Sequence, residues 1–468
     1  MIILIFCVFL IYGTLIESWH GTEYANRLVY KSWSFMLVQF CIFLSILFAA
    51  LIRLPPKKQL YGFYTIHAGL IIIFIGAYVT YVSGIDGNIK LLPNQSTQTL
   101  EVGEDELKIS QKGEDGEQTY SLPFESGVVT LDQKFKGAVL GKYYPFAVER
   151  IHWSSDISSR LPTSQFQLAN EQTKEEFILS RHPSSSFGQN KKLGKLNLYY
   201  LAQEYEACFL EKKKSGILVW NAGKKTCSYV TSAERGDKAF SLKEYEKEPN
   251  LFLFGLTAAY FDSQTKIWKL STLRDPLKLP WMGLELKLLR HETGLFAKTL
   301  PEYVKPVSGT TPQDQRLKAL EVSYHGQKFW VTSREPVTFN TGNNLVNFEL
   351  GKKKINLPYS LTLDKFTMKT DPGTNSAASY ESEISLFLKE GMQKHRIFMN
   401  NPLKHQDFTF YQASFIPLGP NGFGSILSVN FDPGRFLKYL GSFLLVLGSA
   451  WHYFLRRKKI IPSGVMSA

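Results

Sequence analysis

The chain has 468 residues, 44% of them hydrophobic, and a formal net charge of +13, which is length enough for more than one domain. Residues 1–82 and 435–468 hold eleven Lys/Arg against two acids, so about +9 of the charge flanks the apolar ends and about +4 is spread over the long middle. Such a distribution excludes the basic stripe of a nucleic-acid-binding protein and matches the Lys/Arg clusters that orient membrane helices.

Residues 1–16 are apolar, with neither a positively charged flank nor a small-residue cleavage site before Glu17. They predict an uncleaved first span rather than a signal peptide. A polar loop, Glu17 to Lys31, leads to a second span at 33–52, closed by Arg53 and the Pro55-Pro56 pair. The third span covers 61–82 and the fourth about 436–455, followed by Arg456-Arg457-Lys458-Lys459. Basic residues at 53–58 and 456–459 place both stretches, and both termini, on the cytoplasmic side. The expected fold is an integral membrane protein with four transmembrane α-helices and a large all-β exported domain, 83–434, between the third and fourth.

Within 83–434, short aromatic and β-branched runs such as Phe329–Thr332, Ile384–Leu388 and Phe408–Gln412 are separated by Gly, Pro and Asn turns, the pattern of a β-sandwich or barrel. The central part, about 150–320, carries mixed-charge stretches such as Glu211-Lys212-Lys213-Lys214 and Lys243–Glu248, which predict solvated loops.

The third span poses the chemical question. Its only ionisable group of the His/Asp/Glu/Lys/Arg kind is His67, and an ionisable residue inside a membrane helix is a functional hypothesis by default. His67 lies about 9 Å in from Tyr61 along the helix, in the cytoplasmic half. At about 100° per residue, Gly69 and Gly76 fall on the opposite face, so one face packs against a neighbouring helix and the other presents imidazole. Taken alone, the position fits a histidine hydrogen-bonded to an adjacent helix as well as it fits a metal or haem ligand. His452, in the fourth span at similar depth, could face His67 or be an interfacial polar residue. The remaining histidines, His20, His152, His182, His291, His325, His395 and His405, show no ligand spacing and predict structural roles.

No C-x-x-C pair and no C-x-x-C-H haem-attachment site is present, which excludes a thioredoxin-type centre and a zinc knuckle. Cys208 and Cys227 could pair if exported, but they lie in no motif that would activate a thiol. The P-loop, H-E-x-x-H and G-x-S-x-G motifs are absent as well, leaving no self-contained enzyme to argue for.

The order of features resembles the ResB family, the β-rich membrane subunit of the System II cytochrome c maturation machinery. The resemblance rests on Thr14-x-x-Glu17-Ser18-x-x-Gly21-Thr22-x-x-Ala25 with Tyr30 and the Trp33 span, and on His67-Ala-Gly-Leu-Ile-Ile-Ile-Phe-Ile-Gly76-Ala. Towards the other end it rests on Asp371-Pro-Gly-Thr-Asn375, Met399-Asn-Asn-Pro402-Leu403, Phe410-Tyr-Gln-Ala-Ser414 and Asp432-Pro433-Gly434. These motifs cover about 90 amino-terminal and 100 carboxy-terminal residues; 100–350 carries none. The resemblance implies a non-catalytic subunit in the inner membrane that works with a multi-span ResC-type partner. Haem b would be ligated axially by His67, moved from the cytoplasmic side to the outer face, and attached there to apocytochrome c. The second axial ligand would come from the partner, with His452 the alternative. The competing reading is a membrane-anchored β-domain that binds or scaffolds other proteins, with His67 structural.

Overall fold

The computed structural model describes residues 1–111, 116–156, 158–206, 209, 217–221, 226–230, 239–241, 245–247, 249–307, 316–340, 345–371, 373, 377–419 and 422–460, with the backbone alone for 204, 217–221, 226–230, 239–241, 377 and 455–460. The chain divides into two compact units, Met1–Val148 with Tyr303–Ala468, and Glu149–Glu302. The β-rich middle expected as one domain is therefore shared between two.

In the first unit, three helices are long and apolar enough to cross a membrane: Ile2–His20, Trp33–Leu51 and Lys58–Ser83, whose α-helical part is Tyr61–Ser83. The first stops at Gly21, which adopts φ +86 and returns its N–H to the Glu17 carbonyl at 2.8 Å, a left-handed terminator that glycine provides without steric cost. A short turn, Thr22–Ala25, and a π-helical turn, Asn26–Tyr30, follow. Ser32 then caps the second helix, its Oγ accepting from the Phe35 N–H. The last helix, Arg435–Ile460, is outside the apolar group among the described residues; Lys438 and His452 dilute its apolar run.

The third and last helices lie antiparallel and run straight into a strand pair. Ser83 ends the third helix and strand Ile85–Leu91 begins two residues on; strand Phe423–Phe431 ends just before Arg435. These strands pair antiparallel, Ile85 opposite Phe431, so helix pair and strand pair form one ribbon. From that ribbon a ten-stranded sheet extends, eight strands in the path Gly391–Phe398, Ala377–Leu388, Leu345–Thr370, Ser96–Gln111, Ile85–Leu91, Phe423–Phe431, Phe408–Pro417, Leu403–His405, with Val337–Asn340 and Gln118–Ser121 pairing off it. A tight turn with a bridge between Phe398 and Asn401 connects the first and last strands of that path, and the interior holds Ile89, Leu100, Leu361, Leu386, Phe410 and Leu427. The barrel-like expectation is met here.

The long strands Ser96–Gln111 and Leu345–Thr370 serve two cores. Beyond a register shift between Glu101 and Asp105, their far halves supply Leu107, Ile109, Phe348 and Leu350 to a second cluster with Leu140, Tyr143, Leu320 and Val331. Extra residues on one strand of a pair bend it and re-aim the side chains that follow; here the re-aimed side chain is Asp105.

The second unit corrects the reading of 150–320 as solvated loops. Described strands Pro162–Ala169, Lys174–Ser180, Leu196–Tyr200, Asn250–Leu253, Thr257–Asp262 and Glu285–Thr293 fill it, around a core of Phe166, Leu179, Tyr200, Leu251 and Leu286. Charged residues occupy the solvated face of strands whose other face is apolar: in Glu285-Leu286-Lys287 the leucine is buried and its neighbours are exposed. The Glu211–Lys214 run, Lys243, Glu244 and Glu248, and Cys208 lie outside the described residues, as does the side chain of Cys227.

Candidate functional site

The third helix sorts its residues into two faces. Its buried residues are Gly62, Gly69 and Gly76, spaced by seven, and each meets a glycine or backbone of the last helix. A Cβ on Gly69 would lie 2.7 Å from the Gly441 carbonyl oxygen, one on Gly62 would lie 2.6 Å from the His452 backbone, and one on Gly448 would lie 3.0 Å from the Gly62 carbonyl oxygen. Small residues at this spacing let two helix backbones touch along a shared seam.

His67 is turned away from that seam, about 200° around the helix from Gly69. Its Nδ1 lies 2.9 Å from the Phe63 carbonyl oxygen one turn earlier. A carbonyl only accepts, so Nδ1 carries the proton, and the lone pair sits on Nε2. The same ring rests on Phe63, centroids 3.8 Å apart and planes at 33°. The Arg53 guanidinium lies over that phenyl ring, 4.6 Å from its centroid. Tyr64 donates its hydroxyl to the Arg53 carbonyl, tying the end of the second helix to the first turns of the third. One turn pair on from His67, Phe74 contacts Phe43 of the second helix at 5.9 Å.

His452 does not join this site. Its backbone covers Gly62, on the seam side, and its Nδ1 is buried without a hydrogen-bond partner. Among the described residues no hydrogen bond or ring contact links it to His67. Three other histidines have hydrogen-bond partners of their own. His20 Nδ1 donates to the Pro306 carbonyl oxygen at 2.5 Å. His182 pairs with Asp156 at 3.0 Å and stacks on Phe296; His291 Nδ1 lies 2.8 Å from Ser164 Oγ. Among the described residues no group of three His, Cys, Asp or Glu side chains could hold a metal ion.

Sequence reading missed an ion cluster that docks the linker between the first two helices onto the β-sheets. Arg27, on the π-helical turn, pairs with Asp105; both side chains are almost fully buried, at 0% and 1% exposure. Asp105 also accepts from Lys318 at 2.9 Å and from the Tyr143 hydroxyl at 2.8 Å. Glu23 accepts from Lys318 at 2.7 Å, Lys352 at 2.9 Å and Arg27 at 3.0 Å. Burial by itself disfavours both carboxylates, but Lys318 and Lys352 outweigh it, with Arg27 adding to them at Asp105, and hold both well below the usual range. Burial, then the charge of Asp105, pushes the Tyr143 phenol up. Apart from Glu23 and Arg27, four residues apart, the charged residues are far from one another in sequence, and the strand register and the bulge at 101–105 bring them together.

A smaller knot closes the ribbon: Thr80 donates to Asp432 Oδ1 at 2.6 Å and Lys438 to Oδ2 at 2.7 Å. Asp432 thereby fastens the third helix to the start of the last.

The strands towards the carboxy-terminal end of the sheet carry a likeness to a known family. Residues 321–422, which carry the Met399–Leu403 and Phe410–Ser414 motifs, match the family described as ResB-like. This stretch is ResB-like. Over 109 residues the chain is also 37% identical to Protein NrfI of Wolinella succinogenes, a match that spans 23% of this chain and 12% of that protein's length. The ResB-like stretch takes in most of the barrel interior, whereas His67 lies before it in the chain.

Proposed function

We propose that this protein acts in cytochrome c biogenesis, binding haem within the membrane through His67 and passing it, with a multi-span ResC-type partner, to the outer face for attachment to apocytochrome c. The single observation that carries the haem reading is the His67 tautomer. A ligating histidine commonly donates its other ring N–H to a carbonyl, which fixes ring orientation and leaves the remaining nitrogen for the metal; His67 Nδ1 does this to Phe63. Neutral imidazole is an ordinary axial ligand of haem iron. Haem is the cargo here, and the residues present fit it on one side only, because His452 is on the seam face. The second ligand therefore comes from the partner.

Four crossings are part of this proposal. The three glycines of the third helix meet the last helix in antiparallel register, which supports a fourth crossing alongside the third. Charge flanks put both termini inside and 83–434 outside.

Absorbance of the purified full-length protein with its partner tests the ligand. His67→Gly should abolish or shift the Soret band while membrane insertion persists, and added imidazole should partly restore it. An unchanged spectrum in His67→Gly would leave His67 a structural histidine and favour the scaffold reading.

A further inference from the structure

Resting on His67 as the haem ligand, we propose that Arg53 is the counter-charge for a haem propionate at the same site. Haem is planar, apolar at its centre, and carries carboxylates at one edge, so a membrane site needs an iron ligand, an apolar shelf and a cation within reach of each other. His67, the Phe63 ring and the Arg53 guanidinium supply these in contiguous contact, at 3.8 Å from imidazole to phenyl and 4.6 Å from phenyl to guanidinium carbon.

Arg53 is held in place without being neutralised. Its Nη1 donates to the Ala49 carbonyl at 2.8 Å, and its own carbonyl accepts from Tyr64. Among the described residues it has no carboxylate partner. The only acids in 1–83 are Glu17 and Glu23, and these are engaged by Thr22 and by the Arg27, Lys318 and Lys352 cluster. Lys57 and Lys58 add two more exposed cations on the same connection. A guanidinium fork suits a carboxylate better than an ammonium does, and an orienting charge alone has no need to sit on the ring that supports His67.

Haem and haem dimethyl ester, which lacks the carboxylates, are titrated into the full-length protein in detergent and followed at the Soret band. Wild type should bind haem about tenfold more tightly than the ester, the scale of one charge-assisted hydrogen bond. Arg53→Gln should bind both alike, with the axial-ligand spectrum of wild type, and Arg53→Lys should fall between. Equal binding of haem and ester by wild type overturns the assignment. So does discrimination that survives in Arg53→Gln and disappears only when Lys57 and Lys58 are replaced. Failure of the His67 reading shows separately, as an unchanged spectrum in His67→Gly.

Discussion

Gly69 and Gly441 meet backbone to backbone, a Cβ on the first falling 2.7 Å from the second's carbonyl oxygen and a Cβ on the second 2.5 Å from the first's. Neither contact can be relieved by rotating a side chain. Gly69→Ala must push the helices apart and should lower stability by about 1–3 kcal/mol, the usual cost of overpacking, while Gly69→Leu should separate them. Gly103→Ala is the control, since no atom outside its own chain neighbours lies within 4 Å of its added Cβ. Thermal unfolding in detergent compares the three; equal midpoints for Gly69→Ala and Gly103→Ala would refute the seam.

Asp105 is the shared acceptor of Arg27, Lys318 and Tyr143. Asp105→Asn leaves Arg27 and Lys318 with Glu23 as their remaining carboxylate and should cost up to about 3–5 kcal/mol. Limited proteolysis should then cut the 21–31 linker, which wild type protects, and denaturant unfolding reads the loss directly.

The same cluster sets a pH dependence. The carboxyls of Asp105 and Glu23 are held below their ordinary values in the folded state, so their contribution is present in full above the unfolded carboxylate pKa of about 4 and is lost as pH falls through the folded values. Stability of wild type should drop steeply below about pH 4, whereas that of Asp105→Asn should start lower and fall less. Parallel pH profiles for the two proteins would show that the cluster does not control acid lability.

Topology is open to reporter fusions. Alkaline phosphatase joined near residue 250 should be active and joined at Lys58 inactive, because the Arg53–Lys58 connection carries the orienting positive charge. The reverse pattern would invert the assignment and place the His67 end of the third helix outside.

What the sequence by itself determined was what depends on local composition and helical phase. Apolar runs mark the first three helices, His67 is the ionisable exception within the third, and the 100° turn per residue separates the face of Gly69 and Gly76 from the face of His67. The closing motifs from Met399 to Ser414 were also legible, since short strands and their turns are local. Tertiary structure alone decided the rest. Charged strands of 150–302 look like loops until a partner sheet covers their other face, because alternation shows which side is wet only once a core exists. His452 could have faced His67 by depth, but depth says nothing of azimuth, and the antiparallel seam turns it to the other side. The Arg27–Asp105 pair joins residues 78 positions apart through a bulge that no periodicity announces. Arg53 reads as an orienting charge in sequence, and only the packing of the second helix against the third sets it on Phe63 beside His67.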